Sequence, residues 1–157
     1  MKTLIIFSSK KGATADVAEL IKGKFDNAVV WDIKNTDKPR LDEFDTIIIG
    51  SSVYVGKIHK DVKAFVSKNS EILRQKKLGL FLCGLLPKEA YKVFENGFAP
   101  VLQYAKAKVF AGGVYDPKKS GFASRLVMKA VAKLSEYTNT VDGNAIDEFA
   151  ASFKDIC

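Results

Sequence analysis

Histidine and cysteine are scarce in this sequence, which contains only His59, Cys83 and Cys157 of these two types. One histidine is too few for a histidine-rich metal site, and neither cysteine has a metal-ligating residue near it in the sequence. We therefore predict that the protein holds no metal ion. The two cysteines lie far apart in the chain, and free thiols are typical of a reducing compartment, so we expect a cytoplasmic location, with a peripheral position at the inner face of the membrane as the alternative.

Long apolar runs, repeats and proline-rich linkers are also missing. No stretch of about 18 apolar residues occurs, so no segment is expected to span a membrane. The apolar run at residues 4–7 is too short for the core of a signal peptide. Only four prolines are present, while 47% of the residues are apolar. A chain of 157 residues with this composition can bury a core, and we expect one domain covering residues 1–157.

Basic residues outnumber acidic ones, with 25 Lys and Arg against 18 Asp and Glu, which gives a formal net charge of +7. Net charge informs on solubility and partners rather than on fold, so the simplest interpretation is a solvated basic surface. An acidic partner or an anionic membrane surface is the alternative. We do not expect nucleic-acid binding, because no recognition motif accompanies the charge.

Four apolar runs predict buried strands, at residues 4–7, 47–49, 78–86 and 109–114. They do not alternate with polar residues, which is typical of strands covered on both faces of a parallel sheet. The more mixed run at residues 28–33 is expected to form an edge strand.

Helical periodicity separates these runs. The amphipathic patterns lie at residues 17–25, 62–73, 88–106, 122–134 and 146–153. Gly97 and Pro100 interrupt the third pattern, and Pro100 is expected to begin a renewed helix there. This alternation predicts an α/β fold: a doubly wound five-stranded parallel sheet in the order 2-1-3-4-5, with an additional C-terminal helix.

In a sheet of that order, ligands bind beyond the carboxyl ends of strands 1 and 3, where the winding direction reverses. Three loops should therefore form the site: those that follow Phe7, Ile49 and the fourth strand.

The first loop offers small hydroxyls, a flexible glycine and the amides of a helix N-terminus. It matches neither the Walker sequence nor the dinucleotide fingerprint. It suits one phosphate monoester, bound by backbone amides and the helix dipole. Capping of the helix by Ser or Thr is the open alternative. The candidate residues are Ser8, Ser9, Lys10, Lys11, Gly12, Ala13 and Thr14.

The second loop, at residues 50–60, combines small residues with an aromatic one. Small residues allow close backbone approach, and Tyr54 could lie on a flat ring or be an ordinary exposed tyrosine. The candidate binding residues are Ser51, Ser52, Val53, Tyr54 and Gly56. His59 is expected at the start of a helix rather than in catalysis.

The third loop should form the opposite wall of the pocket, with Cys83, Gly84, Leu85 and Leu86 as candidates. Cys83 has the character of a small buried hydrophobic residue and has no visible basic activator, so we do not assign it as a nucleophile. The catalytic residue is unknown from the sequence.

Together these loops resemble those of the flavodoxin-like family. In that family a phosphate loop of the type Ser/Thr-x-x-x-Gly-x-Thr follows strand 1, and SSKKGAT at residues 8–14 fits it. The resemblance implies FMN rather than FAD, because only one phosphate site is present. It also implies that the loops after strands 3 and 4 flank the isoalloxazine ring.

Three longer segments resemble the flavodoxin-domain group that contains the menaquinone-dependent protoporphyrinogen dehydrogenases. They are KTLIIFSSKKGAT, IIGSSVYVGKIHK and AGGVYDPKKSGFASRLVMKAVAK, whereas GLLPKEAYKVFENGFAP looks shorter than the corresponding loop of the bacterial enzyme. The resemblance implies dehydrogenation of protoporphyrinogen with electrons passed to a quinone or another redox partner. An FMN electron carrier without its own substrate and a flavin-free binding module are the alternatives.

A basic helix is predicted near the C-terminus, at residues 122–134. Leu126, Ala130 and Leu134 share one face, which we expect to pack on the sheet. The adjacent basic residues suit docking to an anionic membrane or to porphyrin propionates, and a solvated helix face is the alternative. These residues are Lys118, Lys119, Arg125, Lys129 and Lys133.

Overall fold

The computed structural model describes residues 1–8, 12–119, 121–132 and 136–154. Five parallel strands form its central sheet: β1 (Thr3–Ser8), β2 (Ala28–Asp32), β3 (Thr46–Tyr54), β5 (Lys77–Cys83) and β6 (Ala105–Phe110). Their spatial order is β2-β1-β3-β5-β6, with β2 at one edge. The predicted doubly wound sheet and its order are therefore confirmed.

Two short antiparallel pairs accompany this sheet, and only the first of them belongs to it. The two-residue strand β4 (Lys57–Ile58) pairs with the end of β3, and β7 (Val114–Tyr115) pairs with β8 (Thr138–Asn139). The prediction of a loop from Gly50 onwards was wrong, because residues 50–54 continue β3. The ring of Phe81 occupies the space that a side chain at Gly50 would need, so Gly50 lets strands pack rather than a ligand approach.

Helices cover both faces of the sheet. On one face α1 (Ala13–Lys22) packs beside α6 (Gly143–Ala151). The other face is covered by α2 (Lys60–Lys68), α3 (Ser70–Arg74) and α4 (Ala90–Gly97). The central strands are buried on both sides: Leu4 and Ile6 join one apolar cluster, while Ile5 and Phe7 join the other. This double burial explains the continuous apolar runs.

Two predicted helices are shorter than their patterns. The second pattern is divided at Asn69, whose side-chain amide donates a 2.8 Å hydrogen bond to the carbonyl of Phe65. The renewed helix at Pro100 was wrong, since α4 ends at Gly97 and only a 3-10 turn, Leu102–Tyr104, precedes β6. Phe98 and Val101 are fully buried there, so core packing determines the path of the chain.

The basic helix differs most from its prediction. It consists of α5 (Phe122–Val127) and a π-helical turn, Met128–Ala132. Leu126, which was expected to pack on the sheet, is 53% exposed. Lys133 and Leu134 lie outside the described residues.

Candidate functional site

The three predicted loops begin at the same edge of the sheet. Ser8, the last residue of β1, pairs with Ser51 of β3, and Ser52 pairs with Cys83, the last residue of β5. Because these strands are parallel and adjacent, their carboxyl ends lie side by side. The structure thus brings together candidate residues from three separate parts of the sequence.

The first loop leads directly into α1. Ser9, Lys10 and Lys11 lie outside the described residues. Gly12 has a φ of 85°, in the left-handed region that favours glycine. No described atom outside its chain neighbours lies within 4 Å of the position that a Cβ of Gly12 would take. The described residues therefore leave space beside Gly12 at the start of this helix.

Two buried hydroxyl groups lie in the residues on either side of this loop. Ser8 and Thr14 are fully buried, and their hydroxyl oxygens have no hydrogen-bond partner among the described residues. Three other buried groups are unpaired within the described residues. Thr3 and Thr46 begin β1 and β3 at the opposite edge of the sheet, whereas Trp31 is near the carboxyl end of β2 and pairs with Ile6. Thr14 is in the first turn of α1 and Ser8 ends a strand, so neither hydroxyl caps the helix in this structure.

The arrangement fits a bound anion with several acceptor oxygens. A buried hydroxyl without a partner is rare in native proteins and usually indicates a missing water, ion or ligand. The N-terminus of α1 adds backbone donors and the positive end of the helix dipole. A phosphate monoester could accept hydrogen bonds from both hydroxyls and from these amides.

Cys83 lies beneath this loop, buried in the cluster on the α1 side of the sheet. Burial raises the pKa of its thiol from 9.0 to about 12, although the nearby Thr14 hydroxyl favours the thiolate slightly. The Thr14 hydroxyl and the Cys83 thiol are not joined by a hydrogen bond of good geometry, because the Thr14 hydroxyl has no partner in the described part of the chain that meets the distance and angle required of one. Cys83 is thus a neutral thiol at physiological pH, which makes it unsuitable as a nucleophile.

The second candidate loop is a tight hairpin. Tyr54 pairs with Lys57, and Val55 and Gly56 form the two-residue turn between them. Both turn residues have positive φ, 49° for Val55 and 73° for Gly56, as a type I′ turn requires. Tyr54 is 43% and Val55 64% exposed, so the tip presents two large side chains to solvent.

Val55 was absent from the candidate residues. Valine is unfavourable at positive φ because its branched side chain crowds the backbone, and such strain is concentrated at binding sites. The available signal was the Val-Gly pair itself, which stands where Asn-Gly is the usual turn sequence.

Ser51 and His59 anchor the base of the hairpin. The amide of His59 donates a 2.8 Å hydrogen bond to the Ser51 hydroxyl, which in turn donates to the carbonyl of Ser52 at 2.9 Å. The imidazole Nδ1 of His59 accepts a 3.1 Å hydrogen bond from the amide of Asp61 and caps α2. The predicted position of His59 at a helix start is confirmed.

The third loop starts at Gly84, whose amide donates a 3.0 Å hydrogen bond to the carbonyl of Gly112. Leu85 and Leu86 follow and are half-buried. Gly112 and Gly113 were not predicted as part of this region. Gly113 exchanges hydrogen bonds with Thr140, which holds the segment before α6 against the third loop. The adjacent glycines after β6 were the only sequence signal.

A cavity of about 400 Å³ lies at the opposite, amino-terminal edge of the sheet, and none of the candidate residues lines it.

Within residues 1–8, 12–119, 121–132 and 136–154, no three His, Cys, Asp or Glu side chains are placed to hold a metal ion. None of the helices in that part of the chain is long and apolar enough to cross a membrane.

Comparison with known proteins agrees with the fold. A family model described as the flavodoxin domain matches residues 4–142. The chain is 24% identical over 147 residues to the protoporphyrinogen IX dehydrogenase [quinone] of Escherichia coli K12, covering 86% of this chain and 81% of that enzyme. It is 33% identical over 84 residues to a flavodoxin of Clostridium saccharobutylicum, covering 50% and 52% of the two chains.

Solved structures show the same architecture. The flavodoxin of Fusobacterium nucleatum bound to flavin mononucleotide superposes with a TM-score of 0.60 at 16% identity, over 96% of each chain. The family match spans most of the sequence and includes β1, the hairpin and the third loop. The chain therefore belongs to the flavodoxin domain family.

Proposed function

We propose that the protein binds FMN at the carboxyl edge of β1, β3 and β5. The observation that carries this proposal is the pair of buried hydroxyls of Ser8 and Thr14, which have no hydrogen-bond partner among the described residues and lie on either side of the loop that leads into α1. One such site suits the single phosphate of FMN, whereas FAD would present two linked phosphates. The flavodoxin of Fusobacterium nucleatum, which shares this architecture, binds the same nucleotide.

Each loop has a role in this proposal. Ser8, Thr14 and the first amides of α1 hold the phosphate, and Lys10 and Lys11 add positive charge close to them in the sequence. The hairpin tip with Tyr54 and the third loop with Leu85 and Leu86 hold the two sides of the ring and exclude water from it. The bound flavin supplies the electron-transfer chemistry, so no acid–base pair on the protein is required.

Flavin binding is tested first. The purified protein is denatured and any released flavin is identified by chromatography, and the apoprotein is titrated with FMN, FAD and riboflavin. We expect stoichiometric FMN binding and weaker binding of the other two. Tight binding of FAD without binding of FMN would contradict the single-phosphate site.

The reaction we propose is dehydrogenation of protoporphyrinogen IX, with electrons passed to a quinone. Its support is the similarity to the E. coli enzyme, which extends over 86% of this chain. Each protoporphyrinogen loses six hydrogens to become a fluorescent porphyrin, and three quinones take them up, two electrons and two protons each, to become quinols. The protein's part is to hold the flavin where both partners can reach its ring at the carboxyl edge of the sheet.

An anaerobic assay tests this reaction directly. FMN-loaded protein is incubated with protoporphyrinogen and a menaquinone analogue, and porphyrin fluorescence is followed. Fluorescence should keep rising over many turnovers only when protein and quinone are both present. The control omits the quinone, so that no more porphyrin forms than the bound flavin can oxidise.

An FMN electron carrier without its own substrate is the second candidate. The 33% identity to the Clostridium flavodoxin favours it, although that match covers only half of the chain. Absence of porphyrin formation by a protein that binds FMN and exchanges electrons with a flavodoxin reductase would establish the carrier. A flavin-free binding module would be indicated if none of the three flavins bound.

A further inference from the structure

The helix α5 exposes apolar and basic side chains together. Phe122 is 71% and Leu126 53% exposed, and they are one helical turn apart. Arg125 of α5 and Lys129 of the π-helical turn that follows, four positions apart, are also exposed. Side chains four positions apart are neighbours on a helix surface, so the two pairs form adjacent stripes.

The surrounding sequence is strongly positive. Residues 117–135 contain no Asp or Glu, and they contain Lys118, Lys119, Arg125, Lys129 and Lys133. Lys118 and Lys119 are exposed at the start of this segment. We call the described part of it, residues 117–119 and 121–132, the basic segment. The nearest acidic residues in the sequence are Asp116 and Glu136, just outside it, so the segment itself carries only positive charge and favours an anionic partner.

The basic segment leaves the sheet at the same edge as the candidate flavin site. It lies between β7 and β8, which pair with each other through Tyr115 and Thr138. Next to that pair, Gly113 and Thr140 are hydrogen-bonded, and Gly84 of the third loop is hydrogen-bonded to Gly112. The chain on both sides of the segment is thus fastened to the carboxyl edge.

We infer that the basic segment anchors the protein to an anionic lipid bilayer, with Phe122 and Leu126 inserted at the boundary between headgroups and acyl chains. Arg125, Lys129, Lys118 and Lys119 then contact the lipid phosphates. The inference goes beyond the proposed function and does not require a bound flavin. If FMN is bound as proposed, the anchored protein presents the flavin edge toward a membrane-soluble acceptor.

The composition of the segment favours a lipid surface over an acidic protein. Helices that lie in the membrane interface are rich in Lys and Arg on one face and carry Phe or Leu on the other. Protein–protein interfaces are depleted in Lys, particularly at their centre. Because the helix is short, binding should be weak, reversible and sensitive to salt.

Charge is tested by flotation with vesicles. Wild-type protein is mixed with phosphatidylcholine vesicles, with or without phosphatidylglycerol, at low and high salt. We expect binding only to the anionic vesicles at low salt. The double variant Arg125→Gln/Lys129→Gln should lose binding by up to about thirtyfold, since each basic residue near an anionic surface adds attraction. The control, Lys106→Gln/Lys108→Gln on the exposed positions of β6, removes the same charge elsewhere.

Equal losses in the two double variants would overturn the inference, because net charge alone would then explain binding. So would a wild-type protein that ignores anionic vesicles at low salt. FMN affinity is measured in parallel on each variant and should not change. A protein that binds FMN but no vesicles would refute the anchor and leave the proposed function standing.

The insertion of Phe122 and Leu126 into the bilayer is tested with a separate set of variants. Phe122→Ala and Leu126→Ala should each weaken binding, whereas Leu20→Ala on the outer face of α1, where Leu20 is 48% exposed, should not. In Phe122→Trp, lipids with brominated acyl chains should quench the new indole, while the buried Trp31 serves as an internal reference. Binding without quenching, or binding unaffected by both alanine variants, would overturn the insertion of these side chains.

Discussion

The backbone amide of His59 and the hydroxyl of Ser51 form a 2.8 Å hydrogen bond that closes the base of the β3–β4 hairpin. Ser51 is fully buried, and its hydroxyl also donates to the carbonyl of Ser52. One hydroxyl thus satisfies two backbone groups, and it fixes both the hairpin and the start of α2.

Replacing Ser51 with Ala should leave the His59 amide buried without an acceptor. An unsatisfied buried donor costs about 1–3 kcal/mol, so the free energy of unfolding should fall by that amount. Urea denaturation of the apoprotein measures it. The control is Ser52→Ala, which removes the neighbouring hydroxyl and leaves the acceptor for His59 in place. Equal losses in the two variants would contradict the role of Ser51.

Thr14→Val should have opposite effects on the free and the flavin-bound protein. Without flavin it removes a buried hydroxyl that has no partner, so the apoprotein should be unchanged or more stable. With flavin it removes a donor to the phosphate, so FMN affinity should weaken by about 1–3 kcal/mol. Riboflavin, which lacks the phosphate, should be affected far less.

Thr3 provides a matched control for this experiment. Its hydroxyl is also buried and unpaired within the described part of the chain, but it lies at the opposite end of β1. Thr3→Val should leave the stability unchanged or higher and should leave FMN affinity as it is. If Thr14→Val weakened FMN and riboflavin equally, Thr14 would not contact the phosphate.

The sequence predicted the sheet better than the site. Strands buried on both faces need continuous apolar runs, so β1, β3 and β5 were visible in the pattern. The end of β3 was not, because Gly50, Ser51 and Ser52 are small residues typical of loops. They belong to the strand because they pair with β1 and β5. Pairing with strands that are distant in the sequence cannot be predicted from a local pattern.

The basic helix shows a second limit of prediction from sequence patterns. Its periodicity correctly indicated a helix after Phe122, but periodicity cannot say whether an apolar stripe finds a partner. Leu126 has the spacing of a core residue and is exposed. Likewise the positive φ of Val55 depends on the register of the hairpin, which is a property of the fold rather than of the dipeptide.

Net charge should tune the bound flavin. The protein carries a formal charge of +7, and reduction of a flavin near its surface adds negative charge. The positive field favours the reduced form, so the reduction potential should be less negative than in an acidic flavodoxin. Salt screens this field within about 10 Å at ~0.1 M, so the potential should become more negative as salt is added. A potential independent of ionic strength in a spectroelectrochemical titration would contradict this prediction.

Cys83 should make stability fall at alkaline pH. Its pKa is raised by burial to about 12 in the folded protein, against 9.0 for the free thiol. Above pH 9.0 the unfolded chain releases this proton and the folded protein does not. The unfolded state is therefore stabilised relative to the folded state as the pH rises. The contribution of the thiol is therefore fully present below that pH and declines by about 1.4 kcal/mol per pH unit above it.

The comparison with Cys83→Ala isolates this effect from other titrating groups. At neutral pH the variant should be less stable, because a cavity replaces the buried sulfur. The difference between the two proteins should narrow between pH ~8 and pH ~10, since alanine does not titrate. A difference that stayed constant in urea denaturation over this range would show that the folded thiol ionises normally.

Val55 should contribute strain to the free protein and contact to the bound flavin. Its φ of 49° is unfavourable for a branched side chain, and asparagine adopts that conformation readily in a type I′ turn. Val55→Asn should therefore stabilise the apoprotein by about 1 kcal/mol. The same change removes an exposed apolar side chain from the hairpin tip, so FMN affinity should fall.

Val55→Ala separates the two effects. Alanine keeps the Cβ, which is the source of most of the strain at positive φ, but has a shorter side chain. It should therefore weaken FMN binding without the gain in stability. If Val55→Asn stabilised the protein and left FMN affinity intact, the valine would be a turn residue without contact to the ring, and the hairpin tip would hold the flavin through Tyr54 alone.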